Sequence, residues 1–220
     1  MNTTTEKRSP LHRWHEEHCD DWCLLGETPL PRHFADPDEE RLAAGQLALC
    51  DLSGLPLLEA KGPAAAAWLA ARNFPVPAAI YEGTSTSEEG WITRTGSEEF
   101  LLRGAPGSEL SELAGSDPAG DLLITSRQDA IFLVAGSRIG ELMAQTCGLD
   151  YASLPRERTH LSRVAGVSCG LLKDQLRGMP VCWLWLDPSY ALYLWEQLAQ
   201  ITGDLEGKTV GVACFFPEVA

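Results

Sequence analysis

The sequence has no apolar run approaching the ~18 residues that a membrane-spanning helix needs, so no membrane span is expected. Met1–Trp14 also lacks the apolar stretch of a secretion signal. Basic residues are scarce, with 17 Lys and Arg against 31 Asp and Glu and a net charge of −14. That balance argues against a nucleic-acid or anionic-membrane surface, both of which need clustered positive charge. Sequence motifs of common catalytic machinery are missing too. There is no G-x-S-x-G, H-E-x-x-H or P-loop pattern, and Gly62 and Gly136 stand singly where a phosphate cradle needs several glycines. Cysteine is present seven times, an odd number, mostly inside apolar runs. Reduced thiols in a cytoplasm fit this better than a disulfide framework does.

The 220 residues are 45% hydrophobic and 22% charged, enough for a core without staples. Their organisation centres on Gln46–Leu69, QLALCDLSGLPLLEAKGPAAAAWL. An apolar run (Leu47–Leu52) meets a Ser53-Gly54 turn, and a second run (Leu55–Ala60) ends in Lys61-Gly62-Pro63. The alanine-rich run Ala64–Ala71 follows. Pro63 suits the first turn of a helix, and Gly62 suits a tight passage from strand to helix. A related pattern returns at Ile131–Ala135, Gly136-Ser137 and Ile139–Cys147, which suggests an internal repeat.

Along the chain, Met1–Pro10 reads as a polar, frayed end and Leu30–Glu40, rich in proline, as extended or looped. Asp36 and Pro37 are cap and first residue of a short helix to Gly45. Trp91–Arg94 and Glu99–Arg103 flank Thr95-Gly96-Ser97 as a hairpin. Ser116–Gly120 is the expected linker, with Asp121–Thr125 opening the second half. Val181–Leu186 is a strand covered on both faces, Ser189–Ile201 a helix and Val210–Phe215 a last strand. In the helix, Leu192, Trp195, Leu198 and Ala199 form one apolar face, widened by Tyr193 and Leu194. Each half runs strand, glycine-led helix, strands, helix. The predicted fold class is α+β with two ferredoxin-like, split βαβ halves. The domains are an extension (1–40), a first half (41–116) and a second half (117–220).

Two clusters invite a functional reading. His15, His18, Cys19 and Cys23 would share one face of a helix and are the candidate metal ligands. A second, separated ligand pair is missing, and Glu16, Glu17, Asp20 and Asp21 make a solvated amphipathic segment the preferred reading, so no metal is expected. Trp183, Trp185, Tyr190, Tyr193 and Trp195 are read as core packing first. As a contact surface, their candidates are Tyr190, Tyr193 and Trp195.

The run CDLSGLPLLEAKGPAAAAWL resembles the start of the folate-binding aminomethyltransferase domain, as in the glycine-cleavage T-protein. Asp51-Leu52-Ser53 matches the family's D-L-S turn, Leu57–Ala60 its strand, Gly62-Pro63 its G-P pair and Ala64–Ala71 its helix. Trp91–Leu102 is similar to the strand pair that follows, and the resemblance extends roughly from Arg41 to Phe215. Two departures stand out. The chain has no room for the family's third domain, and Glu88-Glu89 stand where the family has an Asp–Asp pair beside the folate. The extra methylene would displace the carboxylate, a positioning error that is costly in rate. The pair is instead read as a solvated acidic loop, and Glu88 and Glu89 are the candidates for cofactor contact. Asp187–Glu196, DPSYALYLWE, resembles a late helix of the gamma subunit of heterotetrameric sarcosine oxidase, which shares the two-unit plan. The folate-dependent iron–sulfur repair protein is a poorer match: its K-G-C-Y motif finds only Cys169, without the lysine-glycine.

The gamma-subunit resemblance implies a non-catalytic subunit of an oxidoreductase complex that oxidatively demethylates N-methyl amines and passes the one-carbon unit to tetrahydrofolate. No catalytic residue and no bound cofactor are then expected on this chain. FAD, FMN, NAD and tetrahydrofolate would sit on partner subunits of alpha, beta and delta type. The alternative is a stand-alone folate-binding protein, either a one-carbon transferase or an iron–sulfur maturation factor.

Overall fold

The computed structural model describes residues 7–86, 89–113 and 120–219. The chain begins with a short helix α1 (His12–His18), a hairpin of β1 (Asp21–Leu25) and β2 (Thr28–His33), helix α2 (Pro37–Gln46) and strand β3 (Ala48–Asp51). Next come β4 (Leu57–Lys61), α3 (Ala65–Ala71), β5 (Gly83–Ser85), β6 (Trp91–Gly96), β7 (Glu99–Arg103), α4 (Glu109–Leu113) and β8 (Leu123–Ser126). The remainder is β9 (Ala130–Ala135), α5 (Ile139–Thr146), β10 (Thr159–Val164), β11 (Val167–Leu176), β12 (Met179–Leu186), α6 (Ala191–Asp204) and β13 (Lys208–Thr209).

Contacts divide the chain into two compact units that differ from the sequential halves 41–116 and 117–220. One holds residues up to Gly54, Asp129–Leu154 and Leu161 onward; the other holds Leu55–Gln128 and Pro155–His160. The expected linker at Ser116–Gly120 lies, except for Gly120, outside the described residues.

The smaller unit runs β4-α3-β6-β7-α4-β8, the βαββαβ order of a ferredoxin-like half. Its sheet has the order β5-β6-β7-β4-β8, antiparallel throughout. Alternation sends Leu58 and Ala60 of β4, Ile92 of β6 and Phe100 and Leu102 of β7 to one face. There they meet Ala65 and Leu69 of α3 and Leu110 of α4. The segment expected to open the second half, Asp121–Thr125, belongs here instead. Gly62 (φ 121°) packs so closely on it that a Cβ would overlap the Asp121 carbonyl oxygen, and β8 pairs with β4.

The larger unit repeats the order as β9-α5-β11-β12-α6-β13. Its six-stranded sheet runs β10-β11-β12-β9-β3-β13. Strand β3 is inserted between β9, to which it is antiparallel, and β13, to which it is parallel. The two strands of the organising stretch therefore serve different sheets. Gly136 (φ 112°) repeats the role of Gly62: a Cβ there would overlap the Gln46 carbonyl oxygen. Alternate residues of β9, β11 and β12, such as Phe132, Leu171 and Leu184, pack under α5 and α6.

Helix α6 buries Ala191, Leu194, Trp195, Leu198 and Thr202, a three-to-four-residue spacing. Leu192 and Tyr193, expected on the apolar face, are exposed instead. The predicted strand Val210–Phe215 is shorter and earlier, at Lys208–Thr209, and the chain then turns into a 3-10 helix, Val212–Cys214.

The region 7–40 is built into the larger unit. In the β1–β2 hairpin, Leu24 faces Pro29 and Trp22 faces Pro31. Two prolines two residues apart lose their N–H groups on the same edge, the one facing away from β1, which a two-stranded ribbon tolerates. Helix α2 starts as its sequence predicts, with Asp36 Oδ1 accepting from the N–H groups of Asp38 and Glu39 and Pro37 in the first turn. Among the described residues no helix is long and apolar enough to cross a membrane.

Candidate functional site

The larger unit buries two carboxylates. Asp51, at the end of β3, is 3% exposed. Its Oδ2 accepts from Ser9 Oγ at 2.5 Å and from His15 Nε2 at 2.8 Å. Its Oδ1 accepts from the backbone N–H of Ser53 at 2.9 Å and from Ser53 Oγ at 2.5 Å. Burial alone would raise its pKa, but the hydrogen bond and charge of His15 and the hydroxyls of Ser53 and Ser9 outweigh it and hold it below the ordinary value. Ser53 Oγ in turn accepts from the N–H of Ile131 in β9 at 3.1 Å. The D-L-S run is thus an Asx-type turn that ties β3, β9 and the N-terminal region together.

His15 is fully buried among the rings of Trp14, Trp22, Phe34 and Trp195, whose centroids lie 5.6–6.4 Å away. Serine, histidine and aspartate are all present, but the geometry is not that of a nucleophile: Ser9 and His15 both donate to the carboxylate rather than Ser9 to His15. This is a structural clamp.

Glu40, also fully buried, is the second clamp. Its Oε1 accepts from the N–H groups of Phe34 (2.6 Å), Ala35 (3.2 Å) and Gly211 (3.3 Å), and its Oε2 lies 2.9 Å from His33 Nδ1. The expected frayed start is therefore, from residue 9 onward, fastened by buried polar bonds.

The metal candidates are not brought together. His15 is spent on Asp51, and His18 is stacked on Trp14 at 3.9 Å. Cys19 Sγ donates to the carbonyls of Asp21 and His33. Cys23 lies in β1 with its thiol pushed up to about 11, burial being the main cause. Among the described residues no group of three or more His, Cys, Asp or Glu side chains is placed to hold a metal ion. All seven cysteines are free thiols. Cys169, the one counterpart of the iron–sulfur repair motif, is buried in β11 with its thiol pushed up to about 12, again by burial, which withholds the reactive thiolate.

Of the acidic pair, Glu88 lies outside the described residues. Glu89 is exposed at φ 56° just before β6, and its carbonyl oxygen accepts from Arg103 Nη2 at 3.2 Å. General acid–base catalysis needs a group held within hydrogen-bond reach of the proton it moves. A glutamate on an exposed turn does not fit that part.

The contact candidates divide. Trp195 is core: it is fully buried, edge-on to Trp14 at 5.3 Å and to Phe132 at 5.3 Å. Its place in the buried row of α6 takes it inward, so it offers nothing to a partner. Tyr190 and Tyr193 are 55% and 51% exposed. They line an open groove of about 510 Å³ with Arg163, Ser168, Asp187 and the Ala165-Gly166 turn between β10 and β11. Arg163, Ser168 and Asp187 were not among the sequence-based site candidates; Asp187 caps the 3-10 turn Pro188–Tyr190 that leads into α6.

No protein-family model matches the chain, and no curated protein matches it in sequence. Solved structures do match. The glycine cleavage system aminomethyltransferase T of Bartonella henselae aligns over 96% of this chain with TM-score 0.73 and 18% identity. This chain spans about three-fifths of that protein, 61% of its length. A chain of the heterotetrameric sarcosine oxidase of Corynebacterium sp. U-96, solved with pyrrole 2-carboxylate, aligns over 91% of this chain with TM-score 0.63 and 15% identity. There the match covers 97% of the other chain. The fold is the α+β, T-protein-like one.

Proposed function

We propose that this chain is a non-catalytic, gamma-type subunit of a sarcosine oxidase-like complex that oxidatively demethylates N-methyl amines. The observation that carries the reading is coverage. The sarcosine oxidase chain is matched almost end to end, so it is a protein of similar length and plan, whereas the aminomethyltransferase extends well beyond the match. The absence of a nucleophile geometry in the Asp51 clamp, the exposed Glu89 and the buried Cys169 thiol support it. The flavin oxidation and the tetrahydrofolate step would then lie on alpha-, beta- and delta-type partners, in a cytoplasmic complex.

Co-expression with flavoprotein subunits of the sarcosine oxidase type from the same cell tests this. One stoichiometric complex with demethylating activity is the expected result. A chain that stays monomeric and brings down no flavoprotein would sink the reading. The higher TM-score to the aminomethyltransferase keeps a second reading, a stand-alone folate-binding protein. Calorimetry with tetrahydrofolate decides it: micromolar or tighter binding by the chain alone would favour that reading.

A further inference from the structure

We infer that the groove between the β10–β11 turn and the start of α6 is the socket for a partner polypeptide segment carrying a carboxylate next to an apolar side chain. The carboxylate would pair with Arg163 and the apolar side chain would lie against Tyr190 and Tyr193.

The groove's electrostatics point to an anion. Among the described residues the guanidinium of Arg163 has no hydrogen-bond or ion-pair partner, in a chain whose acids outnumber its bases by 31 to 17. The one acid on the groove wall is already engaged: Asp187 Oδ1 accepts from the N–H of Ser189 at 2.9 Å and from its Oγ at 2.6 Å. Those hydrogen bonds keep Asp187 ionised and turned to its own turn. The unmet demand is therefore that of Arg163, whose planar fork suits a carboxylate in bidentate fashion.

Its apolar character points to a peptide rather than a bare ion. The two tyrosine rings, half exposed, are large contact surfaces that lose little rotamer freedom when covered. Leu192, beside Tyr193 on α6, is 47% exposed, and Leu161, two residues before Arg163 on the same face of β10, is 63% exposed. Tyrosine and arginine around one recess, rimmed by leucine, are the residue types that dominate binding energy at protein interfaces. A volume of about 510 Å³ takes one or two side chains and their backbone. A second copy is the less fitting occupant, since two chains of net charge −14 repel.

The identity of the partner rests on the subunit reading above. The test uses the full chain and the purified flavoprotein subcomplex, comparing wild type with Arg163→Glu and Tyr193→Ser. Both substituted side chains are exposed, so thermal melting should show the variants folded. Each variant is expected to weaken association about tenfold or more. Cross-linking of the wild-type complex locates the partner acid, and a lysine or arginine put in its place should restore binding to Arg163→Glu only. Wild-type assembly with undiminished affinity in both variants would overturn the groove and leave the subunit reading standing. Failure of the wild type to assemble would overturn both. Self-association of the free chain that Arg163→Glu abolishes would assign the groove to a second copy and overturn the inference as stated.

Discussion

The two ferredoxin-like units share a ground plan and solve their closure differently. Both place a glycine at positive φ between first strand and first helix, Gly62 and Gly136, each against a backbone carbonyl of another segment. The smaller unit completes its sheet from one nearly continuous stretch, and α4 spans only Glu109–Leu113. The larger unit borrows β3 from before the smaller unit, wedges it between its first and last strands, and closes with the 14-residue α6. The borrowed strand brings polar fastening with it. Asp51 and Glu40 are buried in the larger unit, whereas no buried carboxylate is found among the described residues of the smaller one. A strand inserted from afar is held by specific directional bonds in addition to its apolar side chains.

Breaking those bonds should produce the largest effect. Asp51→Ala leaves the Ser9, His15 and Ser53 donors without their acceptor, a loss of about 3–5 kcal/mol. Hydrogen exchange should show β3, β9 and β13 losing protection while β4 and β7 keep theirs; uniform loss in both units would contradict independent closure. Trp195→Ala should cost a similar ~3–5 kcal/mol through the cavity it leaves, read by denaturant melting. Next come the paired glycines. Gly62→Ala and Gly136→Ala should each cost about 1–3 kcal/mol, by strain at positive φ and overlap with a carbonyl. Unequal costs would show which unit yields more readily.

A pH experiment sharpens the contrast further. The folded-state pKa of Asp51 lies below its ordinary 3.8, so its contribution is complete above that value and is lost as the pH falls through the folded value. Stability of wild type should therefore drop more steeply below about pH 4 than that of Asp51→Asn, as followed by acid titration of the melting temperature. At the smallest end, Tyr193→Ala should change the stability of the free chain by no more than about 0.5 kcal/mol, against the large cost at Trp195 two residues on.

Much of the fold was legible because it is local. The strand–glycine–helix units, the Trp91–Arg103 hairpin, the Asp36-Pro37 start of α2 and the Val181–Leu186 strand all follow from periodicity and turn chemistry. Pairing partners were not legible, since nothing in Leu47–Leu52 or Asp121–Thr125 says which sheet will accept it. The hairpin of β1 and β2 was hidden by Pro29 and Pro31, which a central strand would forbid and an edge allows. The clamps were hidden because a lone aspartate or glutamate in sequence reads as solvated; only the fold supplies the donors that make burial of Asp51 and Glu40 affordable. At the groove, Tyr190 and Tyr193 read in the sequence first as core packing and only second as contact candidates; the structure leaves both half exposed, whereas Trp195 of α6 is drawn inward. Nothing in the sequence marks Arg163, and its place in one groove with Asp187 is a product of the β10–β11 turn.

The borrowed strand also sets a timetable for the nascent chain. Ribosomes deliver β3 well before its neighbours β9 and β13, which follow only at residues 130–135 and 208–209. The smaller unit can gather most of itself as residue 128 emerges. Meanwhile Leu47 and Leu49 must wait as an apolar strand with both edges unpaired, the state most open to mispairing with another emerging chain. Strand β3, held in the finished molecule between β9 and β13, is in the growing polypeptide a segment for a chaperone to shield.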